Sequence, residues 1–129
     1  MPYTPDSNVK HLTSLEELND LISIRDKLTV VDFHAPWCGP CRAFEPVFEE
    51  IAEKVPEIQF AKVNIEVAKD IALRYKVASL PTFIYFKNGK KVDISVGVGG
   101  NRLFHLIKLN TGLDISTRIV KKMDRNQIE

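Results

Sequence analysis

The chain has 129 residues, 44% apolar and 27% charged, enough for one globular domain with its own core and too few for a two-domain enzyme. Seven Pro and six Gly follow no period, which excludes collagen-like and low-complexity chains. Eighteen basic against seventeen acidic side chains leave a formal charge of +1, so no whole-chain argument points to nucleic acid or an anionic membrane as a partner. The longest apolar run, Phe83 to Phe86, is far short of the roughly 18 residues that span a bilayer. Met1 to Asp6 carries no basic cluster followed by an apolar stretch, so the chain reads as cytoplasmic rather than secreted.

In chain order, Val9 to Leu12 precedes Thr13-Ser14-Leu15-Glu16-Glu17, where Thr13 with Glu16, or Ser14 with Glu17, forms a capping-box pattern. Leu15, Leu18, Leu21 and Ile22 then recur at helical spacing, and that helix runs out near Asp26-Lys27. Leu28 to Phe33 reads as a strand, apolar on both faces and so covered above and below. After Trp37-Cys38-Gly39-Pro40-Cys41, the residues Phe44, Val47, Phe48, Ile51, Ala52 and Val55 make one face of a helix whose wet side takes Glu45, Glu49, Glu50 and Glu53. Pro46 inside it predicts a kink. Ile58 to Asn64 is a further strand, and Val67, Ala68, Ile71, Ala72 and Tyr75 give a third helical face. Thr82 to Lys87 and Lys91 to Val98 form a hairpin around Asn88-Gly89. A last helix carries Leu103, Leu106 and Ile107 and stops at Gly112. The order β-α-β-α-β-α-β-β-α predicts a mixed sheet with helices on both faces.

The only two cysteines stand three residues apart at a predicted helix start. Positions i and i+3 of a helix lie roughly 5 Å apart at Cα, within the span of a disulfide. As a staple the pair is poor, because closing so short a loop removes only about 2 kcal/mol of unfolded-chain entropy. Reversible oxidation explains the spacing better. Cys38 faces the unpaired N–H groups and positive dipole end of the helix, which favour its thiolate and mark it as the nucleophile. Cys41, one turn further in and more buried, then acts second and resolves the mixed disulfide. Gly39 permits close approach of another chain, and Pro40 fixes φ without removing a needed donor. A zinc site is disfavoured because only His11, His34 and His105 are available as further ligands of that kind, in no paired spacing, and an iron–sulfur centre usually wants four cysteines.

Asp32 is the second anomaly, a carboxylate within the buried run Val30-Val31-Asp32-Phe33. Burial favours its neutral form, and it is positioned to take the proton of Cys41 when that thiol attacks. The competing readings are an edge-exposed aspartate or one simply paired with Lys62 of the neighbouring strand. His34, on the same strand face, brings a group that ordinarily titrates near neutrality. Arg42 keeps a positive charge beside the dithiol.

Val30-Val31-Asp32-Phe33, Ala35-Pro36-Trp37-Cys38-Gly39-Pro40-Cys41, Ala61-Lys62-Val63-Asn64, Leu80-Pro81-Thr82 and Phe86-Lys87-Asn88-Gly89 together resemble the thioredoxin family, in matching order from about residue 8 to 112. The resemblance implies a thioredoxin fold of the α/β class, a central mixed five-stranded sheet flanked by four helices. It implies a protein-disulfide reductase, a dithiol–disulfide oxidoreductase that serves cell redox homeostasis and electron transport. Cys38 and Cys41 are its redox-active pair, Asp32 relays a proton, and Lys62 tunes Asp32. No bound cofactor is needed. The partners implied are an NADPH-dependent flavoprotein, thioredoxin reductase, and disulfide-containing protein substrates such as peroxiredoxins or reductases, met by a monomer. Pro81 is expected to be cis against the active disulfide. Leu80 would offer its backbone to an extended substrate strand, with Trp37, Val96 and Gly97 as the apolar rim.

Residues 1–112 thus read as the thioredoxin-like domain and 113–129 as a C-terminal extension. Ile115, Ile119, Val120 and Met123 are spaced as one helical face, either an extra helix folded onto the domain or offered to a partner, or else a frayed terminus. Two rivals remain. One is a disulfide oxidase or isomerase of a secretory compartment, disfavoured by Gly-Pro between the cysteines. The other is a non-catalytic binding scaffold with the tail as its contact surface.

Overall fold

Ser14 decides where the first helix begins: its hydroxyl accepts the N–H of Glu17 at 3.2 Å, while the Glu17 carboxylate reaches back to the N–H and hydroxyl of Thr13. The computed structural model describes residues 7–121. In chain order these hold β1 (Val9–Leu12), α1 (Leu15–Ile22), β2 (Leu28–His34), α2 (Gly39–Lys54), β3 (Gln59–Asn64), α3 (Lys69–Arg74), β4 (Thr82–Lys87), β5 (Lys90–Val96) and α4 (Gly100–Thr111). The strands form one sheet in the order β1-β3-β2-β4-β5. β1, β3 and β2 run parallel, and β4 and β5 join antiparallel.

Several boundaries differ from the sequence pattern. α1 ends at Ile22 because Ser23 bonds back to Asn19 through both its N–H and its hydroxyl, and Asp26 then turns with φ 61 against the side chain of Asn88. Val67 is not on an inward helical face: α3 starts at Lys69 and leaves Val67 62% exposed. The hairpin turns at Asn88 and Gly89, with φ 52 and 81, the pair of positive angles that matches strand twist. β5 stops at Val96, and Val98 goes into the core. α2 runs through Pro46 as one helix.

Two apolar layers sandwich the sheet. On one face Phe44, Val47, Phe48 and Ile51 of α2 and Leu103, Leu106 and Ile107 of α4 pack on Val30, Phe60, Phe83 and Tyr85. On the other, Leu18, Leu21 and Ile22 of α1 and Ile71 of α3 pack on Val31, Phe33, Val63, Ile84 and Phe86. β2 lies at the centre and is buried from Leu28 to Phe33, so the segment leaving its C-terminal end is held from both sides.

Beyond Gly112, whose φ of 80 caps α4, the spacing of Ile115 and Ile119 predicts an α-helix; a single 3₁₀ turn, Ser116–Arg118, stands there instead. The reason is local. Asp114 takes the N–H and hydroxyl of Ser116, and the N–H groups of Val120 and Lys121 go to the carboxylate of Glu50 on α2 rather than to helical carbonyls. Ile115 and Ile119 still bury, in the α2–α4 layer, and Arg118 makes two bonds of 2.9 Å to Glu57. Glu50 is therefore not on the wet side of α2: the tail covers it to 6% exposure. Met123 and the rest of the expected tail helix lie outside the described residues.

Candidate active site

β2 ends at His34, and after four intervening residues α2 begins at Gly39. Cys38 is its N-cap, with φ −85 and ψ 106, and its sulfur accepts the N–H of Cys41 at 3.2 Å. Gly39 and Pro40 fill the first turn, where a missing N–H is harmless. The two cysteines are joined as a disulfide with Cα atoms 5.3 Å apart, close to the spacing expected of one helical turn. The expected difference in burial is absent: Cys38 is 5% and Cys41 6% exposed. What distinguishes them is the neighbourhood. Only Cys38 occupies the cap, where the unpaired amides of the helix converge, and only Cys41 borders the polar cleft described below.

Asp32 sits on the central strand, 2% exposed, which rules out the edge position. Its Oδ1 has no hydrogen-bond partner among the described residues. Lys62 is its register partner on β3, yet the ion pair that Lys62 makes is with Glu45, Nζ to Oε2 3.4 Å. The simple Asp32–Lys62 pair is thus corrected to a three-member arrangement. Burial pushes the Asp32 carboxyl up to about 7; the charge of Lys62 works against that, and the charge of Glu45 adds to it. Sequence reasoning missed Glu45, placing it on the solvent side of α2. The available signal was its position one turn after Cys41, on the same stripe of the helix.

A cleft of about 280 Å³ lies between the end of β2 and the start of α2, lined by His34, Pro36, Cys41, Arg42, Glu45 and Lys62. Wider hollows of about 430 and 530 Å³ sit at the Asn88-Gly89 end of the sheet, but they touch neither cysteine and have no reacting atom in reach. His34 is half-buried there. Desolvation, with Lys62 and His11 nearby, pushes its imidazole down to about 4, so the titration near neutrality suggested by its residue type does not arise. No cluster of His, Cys, Asp and Glu suited to a metal occurs among the described residues.

The substrate-side residues fall on the other flank. Phe33 pairs with Thr82, so Pro81 stands where the Cys38 loop leaves β2. The Leu80–Pro81 bond is cis, and the Pro81 carbonyl accepts the N–H of Gly97 at 2.8 Å. Val96 pairs with Thr82 and is 62% exposed, and Leu80 is half-buried against the α1–α3 layer. Trp37 is 66% exposed; its indole N–H donates to Glu66 at 2.8 Å, a partner the sequence reading did not single out.

The family profile Thioredoxin matches residues 9–109. The chain belongs to the thioredoxin family. A thioredoxin of Mycoplasmoides gallisepticum is 42% identical over 101 residues, 78% of this chain and the whole of that protein. The X-ray structure of Fasciola hepatica thioredoxin aligns with a TM-score of 0.77 at 38% identity, covering 79% of this chain and 99% of that one. A peptide-N(4)-(N-acetyl-beta-glucosaminyl)asparagine amidase of Caenorhabditis briggsae is 38% identical over 102 residues, but the chain spans only 17% of its length. With the Cys38–Cys41 disulfide at a helix start, family membership makes this protein a dithiol–disulfide oxidoreductase of the protein-disulfide reductase kind.

Proposed function

We propose that Cys38 is the attacking thiol, Cys41 the resolving thiol and Asp32 the group that takes the proton of Cys41. The Cys38 thiolate attacks a substrate disulfide, forming a mixed disulfide and releasing one substrate thiol. Cys41 then passes its proton to Asp32 and attacks the sulfur of Cys38, so the second substrate thiolate leaves and Cys38–Cys41 closes. Two electrons pass from the dithiol to the substrate. The observation that carries this reading is the contrast between a cap cysteine facing helix amides and, on the strand that leads into that helix, a buried carboxyl whose Oδ1 has no hydrogen-bond partner among the described residues.

Lys62 tunes Asp32, and Arg42 adds positive charge at the dithiol. Leu80, Pro81, Val96, Gly97 and Trp37 form the surface against which an extended, disulfide-bearing segment lies; Val96 and Trp37 are exposed, as such a rim requires. An NADPH-dependent flavoprotein of the thioredoxin reductase type restores the dithiol, and peroxiredoxins or reductases are among the protein substrates. The protein acts as a cytoplasmic monomer in cellular electron transport.

Insulin-disulfide reduction driven by dithiothreitol tests the assignment. Cys38→Ser should abolish it, and Cys41→Ser should accumulate a mixed disulfide on Cys38. A mixed disulfide trapped on Cys41 instead would overturn the order of attack.

A further inference from the structure

Glu45 falls one turn beyond Cys41 on α2, so the two side chains share a stripe of the helix. On the sheet face that α2 covers, Asp32 and Lys62 are register partners. Lys62 is 5% exposed and its ammonium lies 3.4 Å from Glu45, whose side chain is 46% exposed at the mouth of the cleft beside Cys41. A buried cation is thus tied to a carboxylate at the surface, while Oδ1 of a second carboxylate, its register partner Asp32, has no hydrogen bond among the described residues. One ammonium cannot stabilise both carboxylates fully: the more its field is taken up by Glu45, the less it favours ionised Asp32.

We propose that Glu45 is a positioning residue which, through its ion pair with Lys62, sets how readily Asp32 accepts the proton of Cys41. The inference deepens the relay reading of Asp32 and rests on it. In the step concerned, Cys41 S–H gives its proton to the Asp32 carboxylate, the sulfur's electron pair forms the bond to Cys38, and the substrate thiolate departs with the electrons of the broken mixed disulfide. The other titratable groups around Asp32 are His34 further along β2, His11 opposite Lys62 on β1, Tyr85 of β4 and Arg42 of α2. Burial holds the Tyr85 phenol neutral and desolvation holds His34 neutral, which leaves His11, Lys62, Glu45 and Arg42 as the groups able to bear charge there. Of these, Lys62 and Glu45 act on Asp32 in opposite senses.

The test uses the full chain with Glu45→Gln, Lys62→Met and the double variant. The Asp32 carboxyl carbon is titrated by NMR in the oxidised protein, and the release of the second thiol from a labelled disulfide peptide is followed in single turnovers across pH. Glu45→Gln should move both the Asp32 midpoint and the acid limb of resolution downward by about half a pH unit or more, and this shift should shrink when Lys62 is already Met. An unmoved Asp32 midpoint in a Glu45→Gln protein with native amide spectra, or an equal shift without Lys62, overturns the coupling. The two readings fail separately: Asp32→Asn resolving mixed disulfides at unchanged rates overturns the relay, whatever Glu45 does to the titration of Asp32.

Discussion

Asp32 and Lys62 are register partners on adjacent parallel strands, yet the ammonium of Lys62 is bonded to Glu45 and Asp32 keeps an oxygen with no hydrogen bond among the described residues. A fold selected only for stability would neutralise such a carboxylate or replace it. Retaining it on β2, the strand that leads into the Cys38 loop, keeps a carboxyl that burial pushes up to about 7 close in sequence to the redox pair, as the proposed relay requires.

That placement has a stability consequence. A carboxyl held at about 7 in the fold, against 3.8 ordinarily, binds its proton more tightly folded than unfolded. Its contribution is therefore fully present below about pH 4 and is lost as pH rises to 7, by roughly 4 kcal/mol as an upper bound. Asp32→Asn should resist urea better than the wild type at pH 8, and the advantage should fade at pH 4. Equal stability of the two proteins at pH 8 would show that Asp32 is not desolvated as described.

His34 behaves in the opposite direction. Its imidazole, pushed down to about 4, stays neutral in the fold through the range where an unfolded histidine protonates. The stability it confers is complete above about 6.5 and declines as pH falls toward 4. Proton NMR of the imidazole should show no titration of His34 between pH 6 and 8. A midpoint near 6.5 would mean that the half-buried pocket by Lys62 is open to water.

The disulfide itself should matter little to stability. It closes a loop between residues three apart, worth about 2 kcal/mol in the chain-entropy picture. Reduction by dithiothreitol is expected to lower the urea midpoint only modestly, leaving the far-ultraviolet spectrum unchanged. Unfolding on reduction would mark the bond as a structural staple rather than a redox couple.

Much of this arrangement is legible in the residues alone. Cys-Gly-Pro-Cys after a doubly apolar strand sets the dithiol at a helix start, and Val30-Val31-Asp32-Phe33 betrays a buried carboxylate, because period-2 burial leaves few alternatives. Glu45 and Glu50 escape for one shared reason. On a helix the pattern separates apolar from polar faces, but it cannot tell a free glutamate from one paired with a buried lysine or covered by a returning chain segment. Equal burial of Cys38 and Cys41 was hidden likewise, since exposure at a helix cap depends on the loop packed over it. The tail misleads because the i, i+4 spacing of Ile115 and Ile119 serves a 3₁₀ turn docked on α2 as well as it would serve a helix.

The tail also yields the sharpest stability prediction. Ile115 is fully buried and Ile119 8% exposed in the layer formed by α2 and α4, and Glu50 accepts the N–H groups of Val120 and Lys121 at 2.8 and 2.7 Å. Those bonds, together with Lys54, hold the Glu50 carboxyl down to about 2 against the burial that raises it, so the clamp persists to strongly acidic pH. Ile115→Ala should cost about 2–5 kcal/mol as a large-to-small change in a packed site. Glu50→Ala, which removes the acceptor of the N–H groups of the exposed residues Val120 and Lys121, should lower the urea midpoint by less than Ile115→Ala does, since water can take up those N–H groups. A chain ending at Gly112 should melt well below the full one, yet keep disulfide reduction at temperatures where it is folded, because the described part of the tail bonds to Glu50 and Lys54 of α2 and to Glu57 just beyond it, at the end of that helix away from the dithiol. Thermal unfolding and insulin reduction on the same samples check both halves: an unchanged melting temperature refutes the docking, and activity lost in a folded truncation makes the tail part of the redox machinery.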